Sequence, residues 1–148
     1  MASKLYEKIL IATDGSEYTK NAVDYGIDLA KNTGAKLFTI YVVDTAAFAS
    51  IPMDAAWESM YGLLKQEGGE AIKYVAERAE TEGLEVEGNL IEGHPADEII
   101  KYSEKNSISL IIMGTLGKSG LDRFLLGSVA EKVVRNSKIP VLVVHAKK

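Results

Sequence analysis

The chain has 148 residues, 47% hydrophobic and 26% charged, with a net charge of −4 and no cysteine. That length suits a single domain over residues 1–148, able to bury a core without disulfides or metals, and the acidic balance argues against the broad basic stripe that nucleic-acid binding normally needs, while leaving room for local basic spots. No apolar run has the length of a membrane span and the first eight residues hold no apolar signal core, so a cytoplasmic location is expected.

Strand signals fall at Lys8 to Thr13, Lys36 to Val43, Glu85 to Glu92, Ser109 to Gly114 and Pro140 to Val144. Ile9-Leu10-Ile11-Ala12, Leu110-Ile111-Ile112-Met113 and Val141-Leu142-Val143-Val144 are continuous apolar runs, the signature of strands covered on both faces. Glu85-Val86-Glu87-Gly88-Asn89-Leu90 is mixed and predicts an edge strand. Between the strands, Ala22, Val23, Gly26, Ile27, Leu29 and Ala30 share one helical face. Further helices are predicted over Ala55 to Glu82, from Pro95, which suits a first helical position, and from Val129 towards Asn136. Strand and helix alternate throughout, which implies a doubly wound α/β parallel sheet with right-handed crossovers. The connection Asp44 to Asp54 is the longest without a period. Its Phe48, Ile51 and Met53 would either cover a ligand or pack on the domain or a partner subunit.

The stretch from Met113 to Val129 follows a buried-strand signal and runs into a helix, the arrangement of a phosphate cradle: glycines admit backbone N–H groups to an anion, and the helix start adds donors and its dipole. Gly117-Lys118-Ser119 is not a P-loop, because the glycine needed five residues earlier is Ile112, inside the strand. Gly114 and Gly117 also lack the third glycine of a dinucleotide fingerprint. The remaining pattern is Gly114, Gly117, Gly127 and Ser128. Ser128-Val129-Ala130-Glu131 also reads as a capping box, in which hydroxyl and carboxylate satisfy the helix N–H groups, and this role can coexist with phosphate binding.

The turn Thr13-Asp14-Gly15-Ser16-Glu17 is acidic, so it suits neutral donors such as a ribose hydroxyl or an adenine amino group. Asp14 serves equally well as a helix-initiating turn residue. The phosphates then belong at the glycine loop, near Lys118 and Arg123. Both turns face one crevice if the first and fourth strands are neighbours where the strand order reverses.

With both turns placed, the whole chain resembles the universal stress protein family. Ala12-Thr13-Asp14-Gly15-Ser16-Glu17 is similar to the family's first-strand turn, and Gly114, Gly117, Gly127 and Ser128 match the glycine pattern of its ATP-binding branch. The resemblance implies a five-stranded parallel sheet in the order 3-2-1-4-5, Rossmann-like in the manner of adenine nucleotide alpha hydrolases. It also implies a homodimer with ATP in the crevice. Ala12, Thr13 and Asp14 would then lie near adenine and ribose, the Val42 backbone would read the adenine edge, and Met113 and Gly114 would line the ribose side. Gly117, Gly127, Ser128 and Val129 would hold phosphates, with Mg²⁺ bridging them. Leu116 stands where many relatives carry a basic or imidazole side chain, and Lys118 would either substitute or be solvated. The apolar strand at Val141 to Val144, at a sheet edge in that order, would be buried by pairing with its copy across a two-fold axis.

No dedicated active site is visible. His94 and His145 lie far apart, His94 suiting a turn or helix N-cap and His145 flanking the dimer edge, and the glutamates Glu67, Glu70, Glu77, Glu80 and Glu82 fall on a solvated helix face. The expected function is a nucleotide-loaded switch or adaptor in the stress response, with slow hydrolysis at most. The alternatives are a dimeric scaffold of the same fold without nucleotide and a slow ATPase using Asp14 or Asp44.

Overall fold

The computed structural model describes residues 4–115 and 126–147. Five strands, β1 (Lys8–Ala12), β2 (Lys36–Asp44), β3 (Val86–Gly93), β4 (Leu110–Gly114) and β5 (Val141–Val144), form one sheet in the order β3-β2-β1-β4-β5. All four pairings are parallel, with Ala12 opposite Ile40 and Ile11 opposite Ile112. The helices are α1 (Lys20–Thr33), α2 (Ala55–Glu80), α3 (Pro95–Lys105) and α4 (Ser128–Asn136).

Strand alternation sorts the apolar runs into two cores. Ile9 and Ile11 of β1 pack with Ala22, Val23 and Ile27 of α1 and Val75 of α2 on one face of the sheet. Leu10 and Ala12 point the other way, towards Ile99 of α3 and Ala130 and Val133 of α4. Both faces are covered, which is why these strands read as continuous hydrophobic runs. Helix α1 lies so close to the sheet that a Cβ at Gly26 would stand 2.6 Å from Ile11 Cγ1.

The connections reverse direction at β1, whose neighbours are β2 on one side and β4 on the other. The expected sheet order and the edge position of polar β3 are both found. The long connection after β2 forms a short 3-10 turn over Thr45–Phe48, with the Asp44 carboxylate accepting from the Ala47 N–H at 3.0 Å. Ile51 and Met53 are exposed, Met53 at 80%, so these two side chains do not pack on the domain as one reading of the sequence expected. Helix α2 ends at Glu80, two residues before its predicted limit, and no helix of the described residues is long and apolar enough to cross a membrane.

Candidate functional site

At the carboxyl end of β1 the chain turns with most of its polar atoms spent on itself, the buried Ser16 hydroxyl being left without a partner among the described residues. The Thr13 N–H donates to Ile40 O at 3.0 Å, extending the β1–β2 ladder by one bond. Gly15 has φ +79°, a conformation that glycine adopts without strain, and its N–H donates to Thr13 Oγ1 at 3.1 Å. The Thr19 hydroxyl donates to Ser16 O at 3.0 Å and lies 3.3 Å from Thr13 Oγ1, which leaves the Thr13 hydroxyl as the donor between them. Asp14 Oδ1 accepts from the Ser16 N–H at 2.9 Å, so Asp14 does hold a helix-initiating turn.

Ile40 O faces β1, and parallel-strand geometry turns the N–H and C=O of Val42, two residues on, the same way. By then β1 has ended at Ala12. The Val42 backbone therefore offers a donor and an acceptor side by side at the open end of the sheet.

On the other side of β1, the Thr115 N–H donates to Val144 O at 3.1 Å and Gly127 returns to donate its N–H to Thr115 O at 2.6 Å. Gly127, not Ser128, is the N-cap of α4, with φ −58° and ψ 152°, and among the described residues no side chain caps the helix. The capping box expected at Ser128 and Glu131 is therefore not formed. Once Gly127 is pinned to Thr115, Ser128 becomes the first helical residue, and Glu131 pairs instead with Arg135 one turn along. The backbone donors of the first turn of α4 are left without a side-chain partner among the described residues.

These three features border one cavity of about 270 Å³, close to the low end of small-molecule sites at about 300 Å³. Ala12, Thr13 and Asp14 line it from β1, Val42 from β2, and Met113 and Gly114 from β4. Gly127, Ser128 and Val129 close it from α4. Gly117 and Lys118, with Leu116 and Arg123, lie outside the described residues. The sequence reading missed Thr19, Ile40, Tyr41, Pro95, Ile99, Thr115 and Ala130 as lining residues. Ile40 could have been found by alternation, since it shares a strand face with Val42. Pro95 and Ile99 come from the start of α3, which only the tertiary fold brings to the crevice.

The cavity is electrically polarised. Asp14 and Asp44 line it on the β1–β2 side, while the amino end of α4, with the positive pole of its dipole, lines it from beyond β4. Among the described residues, no group of three or more histidine, cysteine, aspartate or glutamate side chains is placed to hold a metal. His94 is the N-cap of α3, as its place in the sequence suggested, 3.7 Å from the Asp97 carboxylate, and the His145 carbonyl accepts from Asn21 at 2.8 Å.

Comparison with known proteins agrees with this architecture. The model of the universal stress protein family matches residues 5–145. Universal stress protein MJ0531 of Methanocaldococcus jannaschii is 47% identical over 97% of this chain and 85% of its own length, and YxiE of Bacillus subtilis is 33% identical over 95% and 100%. Among solved structures, protein MJ0577 of Methanocaldococcus jannaschii superposes with a TM-score of 0.84 at 30% identity, covering 97% of this chain and 99% of that one. A universal stress protein in complex with cAMP gives 0.71 at 26% identity over 96% and 98%. The chain belongs to the universal stress protein family.

Proposed function

We propose that this protein binds ATP in the crevice at the carboxyl ends of β1 and β4 and works as a homodimeric, cytoplasmic, nucleotide-dependent switch or adaptor. The observation that carries the reading is the pairing of an open Val42 backbone with the Gly127-capped N-terminus of α4, which no side chain of the described residues caps, across one cavity. Val42 supplies the donor and acceptor that an adenine edge needs. Gly127, Ser128 and Val129 supply N–H groups, the Ser128 hydroxyl and a helix dipole for phosphates. Ala12, Thr13, Asp14, Met113 and Gly114 line the space between, where the ribose would sit. Gly117 and Lys118 belong to the same proposed phosphate site by their place in the glycine pattern. The relative solved with cAMP supports adenine nucleotides as the ligand class.

Mg²⁺ would accompany the triphosphate, held mainly by phosphate oxygens and water, as it is in many nucleotide sites. Its part would be to neutralise charge between phosphates. This chain's own residues orient the base through Val42 and gather the phosphates at α4.

Dimerisation is proposed through β5. The Ile111 N–H donates to Pro140 O and the Thr115 N–H to Val144 O, so Val141 and Val143 turn their backbone groups to the open edge. The tail does not cover them, since Lys147 reaches Asp24 of α1 at 3.2 Å. Pairing with a second copy would satisfy that edge.

Isothermal titration of the protein with ATP and Mg²⁺ tests the binding reading. One nucleotide per chain is expected, together with loss of binding in a folded Gly127→Val variant. A folded Gly127→Val protein that binds ATP normally would overturn the site assignment, and a wild-type melting temperature indifferent to ATP would favour the scaffold alternative. Light scattering after size exclusion tests the dimer: Val143→Pro, which removes an edge donor, should yield monomers.

A further inference from the structure

The geometry points to Asp44 as a charge filter: with Asp14, it makes the sugar end of the cavity reject adenine nucleotides carrying phosphate on the 3′ oxygen, cyclic AMP included. This rests on the proposed nucleotide site and adds which adenine nucleotides that site admits.

Asp14 follows β1 and Asp44 ends the neighbouring β2, and the register sets Ala12 opposite Ile40, so Asp14 corresponds to Val42 and Asp44 lies two residues beyond. With strands about 4.8 Å apart and a rise of about 3.3 Å per residue, their backbones are roughly 8 Å apart. Each carboxylate is fixed by a backbone N–H on its Oδ1, from Ser16 for Asp14 and from Ala47 for Asp44. Both line the cavity. The helix N-terminus that favours anions is on the far side, beyond β1. A phosphate chain leaving the 5′ carbon can cross to that end. A phosphate on the 3′ oxygen stays with the sugar, in the half of the cavity that carries two negative charges. The cyclic diester is tied to the same place by its second ester bond.

A phosphate held beside Asp14 would therefore lie roughly 8 Å from Asp44, and one like charge at that distance, with an effective dielectric of about 20, weakens binding by a factor on the order of 30. The test is a set of affinities measured by NMR titration for adenosine, 5′-AMP, 3′-AMP and cyclic AMP on the whole protein. Adenosine serves as the uncharged reference, and the two monophosphates are isomers of equal charge. The expected result is that 3′-AMP and cyclic AMP bind at least about 30-fold more weakly than adenosine, and 5′-AMP binds at least as well as adenosine. Asp44→Asn keeps the acceptor for Ala47 while losing the charge, and should shrink the adenosine-to-cyclic-AMP ratio about 30-fold. Cyclic AMP or 3′-AMP binding as tightly as adenosine to the wild type, or a ratio unmoved in a folded Asp44→Asn protein, would overturn the filter while leaving the nucleotide site standing. Failure of adenosine, 5′-AMP and ATP alike would overturn the proposed function and the filter with it.

Discussion

The two strand-to-helix turns that flank the crevice solve the same problem in opposite ways. After β1, the donors and acceptors of Thr13, Asp14, Gly15, Ser16 and Thr19 largely satisfy one another before α1 begins. Before α4, Gly127 takes the cap position with no side chain to offer, and no side chain among the described residues takes the helix donors. A turn whose polar groups mostly bond one another chiefly holds the fold, though Thr13 and Asp14 also line the cavity and the Ser16 hydroxyl has no partner among the described residues; one that leaves its backbone donors open can hold a ligand. Substitutions should therefore lower stability at the first turn and binding at the second.

The largest effect is expected from Gly127→Val. The backbone there, at φ −58° and ψ 152°, is open to any residue, so the protein should fold, while the added side chain blocks the approach of phosphate. ATP affinity should fall beyond detection by titration, with the unfolding midpoint of the ligand-free protein little changed. Thr13→Val should do the reverse. It deletes the acceptor for Gly15 and the contact with Thr19, and should cost about 1–2 kcal/mol in urea denaturation. Ser128→Ala separates the two roles at one residue. A true N-cap serine would cost about 1 kcal/mol on removal, whereas a first-turn serine with Gly127 as cap should cost less than about 0.5 kcal/mol and still weaken ATP binding.

The smallest effect lies outside the crevice, where Asp24 joins α1 to Arg78 of α2 at 2.7 Å and to Lys147 of the tail at 3.2 Å. Burial pushes its carboxyl up, but hydrogen bonds and charge from Arg78 and Lys147 outweigh this and hold it below the usual carboxylate range. A carboxylate lowered in the folded state stabilises above its unfolded pKa of about 3.9 and loses that contribution as the pH falls through the folded value. Asp24→Asn should thus lower the melting temperature slightly at neutral pH, and the difference should shrink as the pH falls below about 4 and vanish only below the folded value. A difference that persists in acid would mean that the pair acts through packing, not charge.

Much of this molecule could be read from its residues because doubly covered strands leave a simple mark. Ile9 to Ala12 and Leu110 to Met113 are apolar without interruption, and β3, with Glu87, Asn89 and Glu92, carries the polarity of an edge. The two crevice turns were legible for a related reason, since glycines and small polar residues directly after such runs have few other uses. The capping box was misread because its pattern is local, whereas the start of α4 is decided by a hydrogen bond from Gly127 back to Thr115, across the length of the glycine loop. Pro95, Ile99 and Thr19 escaped notice because no motif marks them: they reach the cavity by where α3 and the first turn come to rest.

The most direct test of the central claim is a ¹H–¹⁵N correlation spectrum of the protein titrated with ATP and Mg²⁺. The account predicts saturable shifts at the amides of Val42, Gly114, Gly127, Ser128 and Val129, on both sides of β1, with little change along β3. An unchanged spectrum, or shifts confined to residues away from the crevice, would contradict it.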